Sequence, residues 1–408
     1  MSAIYISSAI DEEKLQIQND DGITFGKCHY SWKIIARLYD YGLRHAGYNI
    51  KHIVRPEIYN TEKARNVAGI NTDDIHICIT PVEHARKLFG IKNIFVCGWE
   101  FPELFDKSLN FNPLYNQKNI LASAESIWCW SSYTSNNLIQ NGLHHAFALP
   151  PPVLLDQANG KFHDTGNMPA CSLDTKTDPK EISIRPLKTF IKETSKSNIL
   201  LSVLNPHDKR KQIVTLIECF VSAWEENNDL VLVIKLIIDN IHTKLININE
   251  ILRHHYSYEG ICKNVVFIGH QLSEDEMVSL YKSARYYLTA TSAEGLNLPL
   301  IEAMSHGIVP ITPRHTAMID YINSSNSIII EHQNKYTGSD YHAYREQLKT
   351  THFPPKKESL IRSILLATQI DEEDYKNRSK KATQTVFGKY SLKSFSQSLD
   401  TFMRKKLK

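Results

Sequence analysis

The stretch that most constrains this chain is Tyr286–Pro313, YYLTATSAEGLNLPLIEAMSHGIVPITP. A β-rich run, 286–291, leads into a polar loop, 292–297. Pro299 suits the first turn of a helix, where its missing N–H costs nothing. Leu300, Ile301, Ala303 and Met304 supply a buried helix face, and Gly307 is placed to end the helix in the left-handed region. A second β-rich run, 308–312, follows at once. Strand, loop, helix, strand is a βαβ unit of a parallel sheet, the building block of α/β folds.

The chemistry of this unit lies in two carboxylates and the backbone between them. A helix start carries unpaired N–H groups and about half a positive charge, which makes it a natural seat for phosphate. Glu294 lies just before that seat and Glu302 one turn inside the helix. Carboxylates so placed accept hydrogen bonds from sugar hydroxyls. The unit is therefore expected to hold a nucleotide-sugar, with phosphates at the helix start, ribose at one Glu and the transferred sugar at the other. Taken singly, each Glu also reads as a bland charge: Glu302 complementing the helix dipole, Glu294 solvated in a loop.

Composition narrows the remaining classes. A chain of 408 residues predicts two or three domains, and 42% hydrophobic residues is enough for true cores. A formal net charge of +3 is too small to argue for nucleic acid. The seven Cys contain no C-x-x-C pair, so zinc and redox motifs lack support, and free thiols fit a reducing cytoplasm. The start, MSAIYISSAIDEEK, reads as no signal peptide, and Leu230–Ile238, interrupted by Lys235, reads as a buried strand, not a membrane span. The basic tail, Arg404 to Lys408, reads as a frayed solvated end or as a weak peripheral contact with an anionic membrane face.

The rest of the chain repeats the α/β rhythm. A strand at 4–7, a polar segment with Gly22 and Gly26, a helix over 31–45 and a strand at 48–54 open a Rossmann-like half. Strands follow at 74–80, 93–97 and 127–130, with a helix capped by Ser132 or Thr134. The second of these strands runs into GWEFP, where Glu100 reads as an acid or sugar contact and Trp99 as a stacking platform or core. Residues 156–197 are polar and aperiodic and read as an interdomain connection with a surface excursion. A second half starts with a strand at 198–204, then NPHDKRKQ, a helix over 212–226 and strands at 230–237 and 264–269. Lys209, Arg210 and Lys211 fall at the carboxyl edge of that sheet, where open α/β sheets bind ligands and where cations can neutralise a diphosphate. A solvated basic turn is the alternative. A capping box at Ser273–Glu276 opens a helix to 284; a helix at 314–323, a strand at 327–331 and helices at 371–386 and 391–403 close the chain.

Glu, seven residues, Glu, within EGLNLPLIEAMSHGIVPI, closely resembles the signature of the family 4 retaining glycosyltransferases. The resemblance implies the GT-B fold: two Rossmann-like domains facing each other across a cleft, with a C-terminal helix crossing back. Here that means an acceptor domain over 1–155 plus a returning helix over 389–408, the connection 156–197, and a donor domain over 198–388. It implies that Glu294 faces the donor sugar, with Gly295, Leu296, Asn297 and Leu298 beside it, and that Glu302 binds the ribose. Counting back from Cys219-Phe220 assigns the family's phosphate-binding Lys to Lys211, while the family's Arg would fall on Pro206, leaving Arg210 to replace it. Gly269 and His270 correspond to the loop near the base, and Gly26 is an approximate match to an acceptor-facing glycine loop that also reads as an ordinary surface loop. Asn297 stands where the family pattern has Gly, and Trp99-Glu100 where members often have His.

No Asp-x-Asp triplet, GxxxxGK[ST] or GxGxxG occurs, so neither a metal-held diphosphate nor an NTPase or dinucleotide enzyme is supported. The reading is a metal-independent transferase, with Glu294, Lys211 and Glu100 as candidate catalytic groups. It moves a hexose-type sugar from a GDP- or UDP-linked donor to a glycan or lipid-linked glycan, as in surface polysaccharide assembly. The alternative is a GT-B protein that binds sugar or a partner without turnover. A glycan phosphorylase is a third reading, weakened because nothing points to a pyridoxal-phosphate lysine.

Overall fold

The computed structural model describes residues 3–8, 30–107, 116–153, 165–174, 184–191, 199–237, 261–338 and 349–406. The first half is a six-stranded, wholly parallel sheet. Its strands are β1 (Ile4–Ser8), β2 (Ile50–His52), β3 (Ile75–Ile79), β4 (Lys92–Cys97), β5 (Ser126–Cys129) and β6 (Ala146–Ala148), in the order β2-β1-β3-β4-β5-β6. The second half is an eight-stranded sheet of β7 (Pro169–Asp174), β8 (Arg185–Pro186), β9 (Ile199–Leu204), β10 (Val231–Leu236), β11 (Ile261–Ile268), β12 (Tyr286–Leu288), β13 (Val309–Pro313) and β14 (Ile328–Ile330). Its order is β14-β13-β12-β9-β10-β11-β7-β8. Every pairing from β14 to β11 is parallel, while β7 and β8 add on antiparallel. β1, β3, β9 and β10 are buried along their whole length, which is why they read as unbroken apolar runs.

This is the two-domain α/β architecture that the resemblance implies, two halves with a cleft between them. Segment 156–197 departs from expectation: its described residues include β7, β8 and a short helix, Lys188–Ile191, so part of the expected connection belongs to the second sheet. β8 is a two-residue edge strand, and β7, PACSLD, is a six-residue strand with few large apolar side chains, so neither shows a strand pattern in the sequence. The expected helix at 314–323 is instead a single 3₁₀ stretch, Thr316–Asp320. Ser131, not Ser132 or Thr134, caps the helix Ser132–Gln140; its hydroxyl accepts from the Thr134 N–H at 3.1 Å.

The last helix, Leu392–Lys406, returns to the first half. Phe395 packs edge-on against Tyr39 (ring centroids 6.0 Å), and Phe402 packs against Trp128 (5.4 Å) and Phe147 (5.3 Å). Just before it, the Tyr390 carbonyl accepts from the Val153 N–H at 2.7 Å. Two carboxylates also tie the halves together. Asp320 accepts from the Ser132 N–H (2.8 Å) and hydroxyl, and Glu103 accepts from the Thr351 N–H (2.9 Å) and hydroxyl. Among the described residues no helix is long and apolar enough to cross a membrane.

Candidate functional site

The signature stretch folds as its pattern predicts. β12 ends at Leu288, a loop follows, and the helix Leu298–Ser305 begins with Pro299 in its first turn. Gly307 then takes a φ of +75° and the chain re-enters the sheet as β13. Asn297, at the position before the helix, adopts a left-handed φ of 64°. Asn tolerates this conformation better than most residues, which explains how it stands in for glycine. The helix then closes its first turn on the Asn297 carbonyl, which accepts from the Leu300 and Ile301 N–H groups at 3.1 and 3.3 Å.

Across the sheet, β9 leads into a 3₁₀ turn, Lys209–Lys211, whose cap is Asp208. The helix Ile213–Glu226 starts only after Gln212, itself left-handed at φ 51°. This geometry brings the two basic residues to the signature loop. Lys211 Nζ lies 2.6 Å from Glu294 Oε1, and Arg210 donates to the Ala293 carbonyl at 3.0 Å. The Ser292 N–H donates in turn to the Arg210 carbonyl at 2.8 Å. Thr316, left-handed at φ 46°, accepts from the Glu294 N–H at 3.0 Å. A β-branched residue in that region is a true conformational outlier. Gln212, Asn297 and Thr316, all beside this loop, are the non-glycine residues with positive φ among those described. Strain concentrated this way is characteristic of binding and catalytic sites.

From the other half, β4 ends in Gly98-Trp99-Glu100. Glu100 Oε1 reaches Arg210 at 2.9 Å, so this ion pair crosses the cleft. Arg210 also pairs with Asp208 at 2.5 Å. Two cations thus meet three carboxylates. Burial, with the nearby charges of Asp208 and Glu294, raises the Glu100 carboxyl above its ordinary range against the pull of Arg210. Asp208, although burial opposes it, is held below the usual carboxylate range by Arg210 and Lys211. These groups border a cavity of about 380 Å³ that also touches Gly295, Leu296, Asn297 and Leu298.

Glu302 lies one turn along the helix, partly buried, and accepts from the Tyr281 hydroxyl at 2.9 Å. Burial lifts its carboxyl to about 7, with Tyr281 working against the rise and Glu274 adding to it. Gly269 and His270 follow β11, outside the residues that line the cavity. Burial and the charge of Lys235 lower the His270 imidazole, and its Nδ1 is buried without a hydrogen-bond partner. Trp99 packs into the core and also borders the cavity. It is 5% exposed, its Nε1 donates to the Glu103 carbonyl at 2.6 Å, and its ring meets Phe101 edge-on. Gly26 lies outside the described residues.

Several residues of the site and its support escaped the sequence reading. Asp208, two residues before Arg210, was legible as a turn-forming acid in NPHDKRK. Thr316 carried no sequence signal, because its role depends on a loop brought close by folding. Trp32 and Trp130 read only as apolar, yet both line the cavity.

A family model described as "Glycosyl transferases group 1" matches residues 185–338, which include Arg210, Lys211, Glu294 and Glu302. No curated protein matches the sequence. Among solved structures, a variant of S. aureus TarM in complex with fondaparinux, alpha-GlcNAc-glycerol and UDP is 14% identical, with TM-score 0.51. The alignment covers 82% of this chain and 56% of that one, so the chain spans little more than half the length of TarM. A Burkholderia xenovorans alpha,alpha-trehalose-phosphate synthase (UDP-forming), in complex with glucose-6-phosphate, is 11% identical over 92% of this chain and 78% of its own, with TM-score 0.55. A trehalose-6-phosphate structure from E. coli, bound with UDP-2-fluoro glucose, is 10% identical over 99% of both chains, with TM-score 0.61. At these identities the likeness extends to the fold: two α/β domains of the GT-B type.

Proposed function

We propose that this chain is a glycosyltransferase that moves a hexose from a nucleotide-sugar to a glycan or lipid-linked glycan, with retention of configuration. One observation carries the reading. Arg210, Lys211 and Glu294 converge on one cavity between two Rossmann-like halves, at the mouth of a helix, inside the stretch matched by the family model. Two of the solved structures named above hold UDP or a UDP-sugar, which makes UDP-linked hexoses the first donors to test.

In this reading the donor diphosphate displaces the carboxylates from Arg210 and Lys211. Negative charge gathers on the leaving phosphate as the glycosidic bond breaks, and preorganised cations stabilise that charge most in the transition state. Glu294, released from Lys211, accepts hydrogen bonds from the sugar, and Glu302 accepts from the ribose. The freed phosphate oxygen takes the acceptor's proton on the same face, which gives retention. Closure of the halves keeps water from the reactive sugar.

The test is a donor screen with purified protein and a glycan acceptor mixture, reading release of UDP or GDP and the anomeric configuration of the product by NMR. Turnover with a retained anomer is expected, and it should survive EDTA because the two cations perform the role of a metal. An inverted product would overturn the mechanism. Loss of activity on chelation, restored by Mg or Mn ions, would overturn the reading of the diphosphate site. Nucleotide binding without turnover would leave a sugar-binding module.

A further inference from the structure

We infer that the cleft wall opposite Arg210 and Lys211 is a subsite for an uncharged sugar ring of the acceptor, formed by Trp32 and Trp130; this rests on the transferase reading above. The two indoles stand with ring centroids 4.7 Å apart and planes inclined at 54°, one from the first helix and the other directly after β5. Both border the same cavity as Glu100, Arg210 and Glu294. The wall is built into the fold. Gly98 has no side chain where one would collide: a Cβ there would lie 2.0 Å from Cε3 of Trp130. The backbone of β4 therefore lies directly against the indole and fixes its plane.

The polar groups around this wall define the guest. Trp130 is 7% exposed, and its Nε1 is buried without an acceptor in the protein. Trp130 therefore backs the wall, and the half-buried Trp32 is the indole that faces the guest. Glu83 and Glu100 line the same side and accept from hydroxyl groups. Among the described lining residues, the first half contributes no Lys or Arg; both cations come from the second half, and each is paired with a carboxylate. A sugar ring satisfies all of these demands. Its C–H face covers the exposed part of the Trp32 indole, and its hydroxyls donate to the carboxylates. A phosphorylated or otherwise anionic sugar would bring its charge against Glu83 and Glu100, with Arg210 and Lys211 already paired and His84 the one other basic side chain among the described lining residues.

The experiment titrates UDP-saturated protein with methyl glycosides of common hexoses and with the matching hexose 6-phosphates, followed by calorimetry and saturation-transfer NMR. At least one neutral glycoside should bind, and its 6-phosphate should bind at least about tenfold more weakly. Trp32→Ala, at a half-buried position, should weaken the neutral sugar by about tenfold, the scale of losing one aromatic contact, while UDP affinity holds within about twofold. Trp130→Phe shrinks the ring that backs Trp32 and should weaken binding in the same direction; thermal melts separate this from misfolding. Tighter binding of the 6-phosphates, no effect of Trp32→Ala, or UDP binding without any neutral glycoside would overturn the subsite. Absence of UDP binding would instead strike the donor reading.

Discussion

At the residue scale, each candidate group already has a partner that a substrate must displace. Lys211 is held by Glu294 at 2.6 Å and Arg210 by Asp208 and Glu100. Lys211→Ala should lower kcat/KM by ~10²–10³, the range for loss of one preorganised donor. Adding Arg210→Ala should lower it further; a double variant no worse than Lys211→Ala would reduce Arg210 to a structural ion pair. Glu302 gives a prediction in pH. Its carboxyl is raised by burial to about 7 from an ordinary 4.5. The fold therefore favours the protonated form, a contribution that is complete below pH 4.5 and lost as pH rises through about 7. Glu302→Gln should accordingly raise Tm more at pH 8 than at pH 5. If the ribose donates to the ionised carboxylate, UDP should bind wild-type protein more tightly at pH 8 than at pH 6. The same variant should then weaken UDP by roughly 1.5–3 kcal/mol, flattening the pH dependence. Calorimetry at both pH values reads the two effects; equal affinities for wild type and variant would remove the ribose role.

At the scale of single elements, β10 contains the least expected residue in the second sheet. Lys235 is 2% exposed on a strand otherwise made of Val, Leu and Ile, and its ammonium donates to the Leu236 carbonyl at 2.6 Å. Burial lowers it from 10.5 to about 8. The charged form is thus disfavoured by the fold, a cost that is complete below pH 8 and disappears as pH rises toward 10.5. Lys235→Met should stabilise the protein at pH 7 by up to ~3 kcal/mol, with the gain shrinking above pH 8. Chemical denaturation across that range checks it, and a constant difference would show that the lysine is not strained by burial. Nearby elements were easier to read. The capping box at Ser273 is present, with its N–H donating to Glu276 Oε2 at 2.7 Å, because both partners lie within one turn.

At the scale of the whole molecule, the site exists only while the halves face each other. Glu100 reaches Arg210 across the cleft, and Gly295 sits so close that a Cβ would come 3.1 Å from the Gly98 carbonyl oxygen. Asp320 and Glu103, clamped on Ser132 and Thr351, hold that approach. Asp320→Asn combined with Glu103→Gln should open the cleft, raise the radius of gyration in small-angle scattering and lower turnover without unfolding either sheet. Unchanged scattering would show that the returning helix alone sets the angle.

The sequence by itself determined the local chemistry: β12, its loop and the helix from Leu298, the end at Gly307, and the basic turn before Gln212. Each depends on neighbours a few residues apart, so propensity, capping and apolar periodicity suffice. Only the tertiary structure decided which groups meet. It paired Lys211 with Glu294, placed Glu100 on Arg210, packed Trp99 against Phe101 at the cavity's edge and put Trp32 and Trp130 on the same wall. Those outcomes depend on strand order, on the crossing of two halves and on glycines that allow close approach. The same short apolar run can serve an edge strand, a core or a ligand wall, and only packing between distant elements separates them.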